Sequence, residues 1–261
     1  MLGVPSSDPA PGGARLKKYY ISGTCYAKWG RLAAAASSRE FEPRFMPVAE
    51  GIIMMIWSVA QNRRNDMPYL EPLPRDAVAE FKERFEHYEK TRGFIPNSIL
   101  TMQRRPAIAA AFMQLNQAVL YEGTVPEELK MLVSLVASQA AGCRYCQAHM
   151  ANLSAIYQAA DEKIAAVWEF QQSDLFSDAE RAALQLAVNA SIVPNQVSQQ
   201  DFDELARHFD AGQIVELVAT IALFGYLNRW NDTMATRLEE YPAAVARRAI
   251  GPAGWEPGKH G

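Results

Sequence analysis

The chain has 261 residues, of which 49% are apolar and 21% charged, with a formal net charge of -3. This is the composition of an ordinary globular protein with ample length for a core, and it offers no electrostatic footprint for nucleic acid or an anionic membrane. The three cysteines, Cys25, Cys143 and Cys146, are too few for a secreted disulfide framework, so a cytoplasmic setting is expected.

The opening "VPSSDPAPGGAR" is rich in Pro, Gly and Ser and predicts a disordered lead-in. The apolar run "GIIMMIWSVA" (51–60) is half the length of a membrane-spanning helix, which needs about 20 residues. It predicts one buried or partner-facing helix and no membrane span. "PYLEPLP" (68–74) reads as a linker or rigid turn, dividing an N-terminal extension, 1–67, from a main domain, 68–261.

Beyond that point the pattern is helical throughout. "DAVAEFKERFEHYEKTRG" predicts a helix capped by Asp76, with Val78, Phe81, Phe85 and Tyr88 on one face and a stop at Gly93. Pro106 opens the next helix. "TVPEELKMLVSLVASQAAG" carries Thr124 and Glu127 at capping-box spacing and ends at Gly142, and further boxes are expected at Ser177/Glu180 and Ser198/Asp201. Alternating β-branched runs with hairpin turns do not occur, so the fold class is all-α. An internal echo lays 131–146 on 216–231, with Cys143 on Asn228, Cys146 on Asn231 and Met131 on Glu216. It suggests a duplicated helical hairpin that kept its thiols in one copy.

"GCRYCQAHM" (142–150) carries the chemistry. If Gly142 ends one helix, Cys143 begins the next, where free N–H groups and the dipole favour a thiolate. An i, i+3 pair can close a disulfide with little backbone movement, and Arg144 would further depress a thiol pKa. His149 flanks Cys146 one turn along, as a base for that thiol or as a polar helix residue satisfied locally. Two buried thiols packing as small hydrophobes are the plain alternative. Zinc would take Cys143, Cys146 and His149, but a fourth ligand from Cys25, His87, His208 or a carboxylate has no support in spacing, so no metal is expected.

With these residues in view, the chain resembles the alkylhydroperoxidase D / carboxymuconolactone decarboxylase superfamily, especially its peroxidase-related branch. The resemblance spans about residues 68 to 245. It rests on "GFIPN" (93–97), "SLVASQAAGCRYCQAH" (134–149), "FSDAERAALQLAV" and "FDELARHFDAGQIVELVATIALFGYLNRWND". It implies an alkylhydroperoxidase D-like helical fold, assembly as a homotrimer or hexamer, and thiol-dependent reduction of hydroperoxides. In that chemistry Cys146 attacks and Cys143 resolves, with no bound cofactor and an external thiol or lipoyl-type reductant. Helix-dipole reasoning favours Cys143 as the more acidic thiol, so the two arguments differ on order. The family histidine, four residues after the second cysteine, is matched here by Met150, and the family glutamate by Met131. Glu128 and Glu216 are the substitute acids, either of which would orient His149. A lactone decarboxylase or isomerase, and a redox-sensing oligomer without catalysis, are the alternative functions.

Overall fold

The computed structural model describes residues 67–261. The expected N-terminal extension, with Cys25 and the apolar run at 51–60, lies outside them. Among the described residues ten α-helices follow one another: α1 Lys82–Arg92, α2 Asn97–Met102, α3 Pro106–Leu120, α4 Glu127–Ala140, α5 Arg144–Ile156, α6 Asp161–Ala165, α7 Asp178–Ser191, α8 Gln199–Leu205, α9 Ala211–Met234 and α10 Glu240–Ala249. Among the described residues there is no strand, in keeping with the all-α expectation.

The centre is the pair α4 and α5: α4 is apolar nearly all round, and α5 is enclosed although it carries Gln147, His149 and Asn152. Residues 129–138 of α4 and 145–154 of α5 are buried without interruption. A helix apolar all round must be enclosed, and α4 accordingly packs on α5, α7 and α9, while α5 also meets α9 and α10. The two serines inside α4 are satisfied along its own backbone: the Ser134 and Ser138 hydroxyls donate to the carbonyls of Lys130 and Ser134 at 2.7 and 2.8 Å. The turn between the two helices depends on Gly142, whose φ of 77° suits a residue without Cβ. There the Cys143 amide donates back to the Ser138 carbonyl at 3.1 Å, a Schellman-type closure that delivers Cys143 to the start of α5.

Several local expectations hold. The helix ending at Gly93 stops there in a left-handed turn, Pro106 occupies the first position of α3, and Ser177 and Glu180 form a reciprocal capping box. Ser198 donates its amide and hydroxyl to Asp201 at the start of α8.

Others need correction. Asp76 does not cap α1: two short 3-10 turns, Arg75–Ala77 and Ala79–Phe81, precede a helix that begins only at Lys82. Thr124 and Glu127 form no capping box, because the carboxylate on the Thr124 amide and hydroxyl comes from Glu216 of α9, at 2.9 and 3.2 Å. "PYLEPLP", read as a linker or rigid turn, is tied to the helices: Tyr69 donates its amide to Met234 and Leu73 to Leu100, and Gln103 and Arg104 donate side-chain N–H groups to Pro74 and Glu71. The hairpin repeat fails as well, since 216–231 lie inside the unbroken 24-residue α9. By length and composition alone α9 could cross a membrane, and 39% of its most apolar stretch is buried in the helical body.

Candidate active site

Cys143 is the N-cap of α5, and its Sγ accepts the Cys146 amide at 3.5 Å. Both thiols are free and buried. They are not equivalent: Cys146, but not Cys143, lines an apolar cavity of about 50 Å³. The Cys146 sulfur also accepts a hydrogen bond from Asn231 Nδ2 of α9 at 3.4 Å. Asn231 is the residue that the sequence echo lays on Cys146, although the surrounding backbone differs.

Burial pushes the Cys146 thiol well above the ordinary cysteine range, and the neighbouring Cys143 pushes it the same way, against a smaller pull from Asn231. This differs from the expected depression. Arg144 does not supply it, since its exposed guanidinium donates to the Glu256 carbonyl at 3.2 Å. The Arg144 carbonyl in turn accepts from the Trp255 indole, tying the C-terminal segment to the start of α5.

His149 shares the cavity with Cys146, and its partner is Glu239, the N-cap of α10. His149 Nε2 and Glu239 Oε2 are 2.7 Å apart. Glu239 Oε1 accepts the Tyr145 hydroxyl at 3.0 Å and the Asn97 amide. An ionised carboxylate only accepts, so Nε2 carries the imidazole proton and Nδ1 remains as the basic nitrogen. The ring is further fixed by stacking on Tyr145, with centroids 4.3 Å apart, and by the edge of Phe94 at 5.5 Å. Tyr145 is kept protonated, chiefly by complete burial and then by the charge of Glu239. It therefore acts as a donor to that carboxylate.

The acids expected to orient His149 lie elsewhere. Glu128 pairs with Lys163 at 3.0 Å, and Glu216 pairs with Lys130 at 2.8 Å. Neither contacts the imidazole. Glu239 carried no sequence signal, standing 90 positions from His149 and outside every motif. Asn97 and Phe94 do fall within "GFIPN", so that segment is near the site through its backbone and one ring edge. Among the described residues no group of three or more His, Cys, Asp or Glu side chains is gathered closely enough to hold a metal ion. His208 pairs with Glu204 on α8 and the segment following it, and His87 lines a different cavity.

The family model for the carboxymuconolactone decarboxylase family matches residues 106–189, from α3 to α7. The crystal structure of the debrominase Bmp8 superposes with a TM-score of 0.65 at 37% identity, covering 69% of this chain and 97% of Bmp8. A cysteine-to-alanine variant of Bmp8 has been solved with 2,3,4-tribromopyrrole bound. An uncharacterized protein of Escherichia coli (strain K12), YnjA, is 37% identical over 106 residues, and the match spans 41% of this chain and 58% of YnjA. A peroxidase-related protein of Ralstonia eutropha JMP134 with an alkylhydroperoxidase D core shares the fold, with a TM-score of 0.58 at 22% identity over 66% of this chain and 94% of its own. The chain belongs to the alkylhydroperoxidase D / carboxymuconolactone decarboxylase superfamily.

Proposed function

We propose that the chain is a dithiol reductase of hydroperoxides, with Cys146 as the attacking thiol and Cys143 as the resolving one. The observation that carries this order is the cavity: Cys146 lines it together with His149, and Cys143 sits behind it at the helix start. Substrate access outweighs the helix-dipole argument for Cys143. His149 Nδ1 takes the Cys146 proton, by way of water or the substrate hydroxyl since no direct thiol–imidazole bond exists. The thiolate attacks one peroxide oxygen, the O–O bond breaks, and the leaving alkoxide collects the proton from His149. Cys143 then attacks the Cys146 sulfenic acid, forming the disulfide and releasing water. Two thiols and one hydroperoxide thus give one disulfide, one alcohol and one water, and an external dithiol restores the pair.

One equivalent of cumene hydroperoxide added to reduced protein is expected to lower the thiol count from three to one and the intact mass by two hydrogens. Supplied with dithiothreitol, the protein should then turn over many equivalents. A disulfide formed once without turnover would favour the redox sensor instead. Cys143→Ser should stall at a Cys146 sulfenic acid, seen as one added oxygen.

A second substrate is favoured by the 37% identity to debrominase Bmp8 along 97% of that chain. A brominated pyrrole would consume the same two thiols, exchanging its bromine for hydrogen and giving bromide and the disulfide. 2,3,4-Tribromopyrrole tested beside the hydroperoxide separates the two by which one oxidises the pair.

The family resemblance also supports assembly of the chain with copies of itself. The outer face of α9 offers Val215, Val218 and Tyr226, all exposed. Light scattering at micromolar concentration is expected to give a multiple of 29.0 kDa, and a monomer there would remove this proposal.

A further inference from the structure

We propose that Arg92 is the recognition point for a carboxylate, so that the substrate is an amphipathic organic acid whose apolar end carries the reactive group to Cys146. The inference rests on the thiol-reductase reading for the reaction, and on separate geometry for the binding.

Arg92 ends α1, with its guanidinium 4.8 Å from the centroid of the Tyr88 ring and 5.6 Å from that of Tyr121, whose hydroxyl it also hydrogen-bonds. Held between two aromatic faces, the side chain loses little further freedom when it binds an anion. Among the described residues no carboxylate lies within ion-pair distance of it; other arginines lack one too, but Arg92 is the arginine that lines the Cys146 cavity. An unpaired guanidinium at a partly buried position is a bidentate receptor waiting for a planar anion.

Its place relative to the thiol gives the substrate class. Arg92, Tyr88, Asn116 and Leu153 line the Cys146 cavity and also a second one of about 280 Å³ beside it. The second cavity adds Arg84 and His87, against a single carboxylate, Glu127 at the exposed start of α4. Its remaining titratable groups are the phenols Tyr121 and Tyr157, both kept neutral primarily by burial. Positive charge therefore prevails in the outer cavity. The inner one, the smaller of the two, is walled by Ile99, Phe112, Met150 and Phe224. A molecule filling both would place its carboxylate at Arg92 and only its apolar tip against Cys146. A long-chain acid hydroperoxide or a halogenated aryl acid has this form.

The test uses the reduced full-length chain with phenylacetate as the probe and phenylacetamide, its uncharged analogue of the same shape, as the control. Calorimetry is expected to show phenylacetate binding about tenfold or more tightly than the amide. Arg92→Gln should erase that preference, and Arg92→Lys should restore part of it. Phenylacetate should also slow alkylation of Cys146 by iodoacetamide, read by peptide mass, while the amide protects less. Equal binding of acid and amide to the native chain would overturn the proposal, and this comparison requires no variant to fold. So would a folded Arg92→Gln that keeps the native affinity for phenylacetate. These are binding readouts: if the native chain shows the Arg92-dependent preference but hydroperoxide leaves the thiols unoxidised, the reaction assignment fails and the carboxylate site stands.

Discussion

Glu239→Gln is expected to lower hydroperoxide turnover by about 10² to 10⁴-fold while the chain stays folded. The amide keeps one oxygen, enough to accept the Tyr145 hydroxyl and the Asn97 amide that Oε1 accepts now. What changes is the group facing His149 Nε2, where an acceptor is replaced by an NH2 donor. The imidazole must then move its proton to Nδ1 to avoid opposing two donors, and the basic nitrogen becomes Nε2, occupied by the amide at 239. An imidazole in the wrong tautomer is the most damaging outcome that a conservative carboxylate-to-amide change can produce in a base–orienter pair. The loss should be large because Cys146 needs the base more than an exposed thiol would. Burial and the adjacent Cys143 hold its pKa high, so little thiolate exists at neutral pH without proton removal. Raising the pH should recover much of the Glu239→Gln rate, since hydroxide then takes the thiol proton. His149→Ala should give a similar loss and the same recovery, and the double variant should be scarcely slower than either single one. A Glu239→Gln enzyme with native rate and native pH profile would make the carboxylate a structural tie between α10 and the site, leaving thiol activation to another group.

The part of this site that is local in sequence was legible, and the part assembled by long-range packing was not. Gly142 announces the turn, and the turn puts Cys143 at the start of α5 with Cys146 and His149 on the following residues; each follows from helix geometry over a few positions. The thiol environment does not follow from the same rules. Helix-start and Arg144 arguments count only neighbours in sequence, and they predict an acidic thiol. At Cys146 the enclosing helices push the thiol the other way, and Arg144 turns outward; the helix-start effect concerns Cys143. Glu239 was invisible for the same reason, since no spacing joins a residue of α5 to the N-cap of a helix 90 positions later. The capping box at Thr124 shows the opposite failure. The local pattern was correct in asking for a carboxylate on those N–H groups, but α9 delivers one from 92 positions away and leaves Glu127 exposed.

Glu216→Gln is expected to destabilise the fold by about 3–5 kcal/mol, the usual cost of stranding one member of a buried ion pair. Lys130 is the reason: it is 1% exposed, and its ammonium meets Glu216 Oε2 at 2.8 Å and the Val119 carbonyl at 3.0 Å. The carboxylate also accepts the Thr124 and Val125 amides at 2.9 and 3.1 Å, closing the loop before α4. Gly123 makes room for it, since a Cβ there would collide with the Glu216 carboxyl group, and its φ of 95° already excludes most side chains. A neutral amide at 216 would keep one oxygen for the Thr124 N–H but set an NH2 donor against the Val125 N–H, and it would leave the buried charge of Lys130 uncompensated. At about 2–4 °C per kcal/mol for a domain of this size, the melting temperature should fall by roughly 10 °C. Lys130→Met combined with Glu216→Gln should be less destabilised than Glu216→Gln alone, because no charge remains to be stranded. The pH dependence has a definite sign. Burial alone would raise the Glu216 pKa, but Lys130 and the two amides outweigh it and bring it from 4.5 down to about 2. A folded-state pKa below the unfolded one contributes stability that is fully present above about 4.5 and is lost as the pH falls through about 2. The native chain should therefore lose melting temperature more steeply than Glu216→Gln across that interval, and parallel acid-melting curves would remove Glu216 as the source. Turnover per folded molecule should be unchanged in Glu216→Gln, because its carboxylate touches neither His149 nor Cys146. A loss of turnover in fully folded Glu216→Gln would return Glu216 to the proton relay.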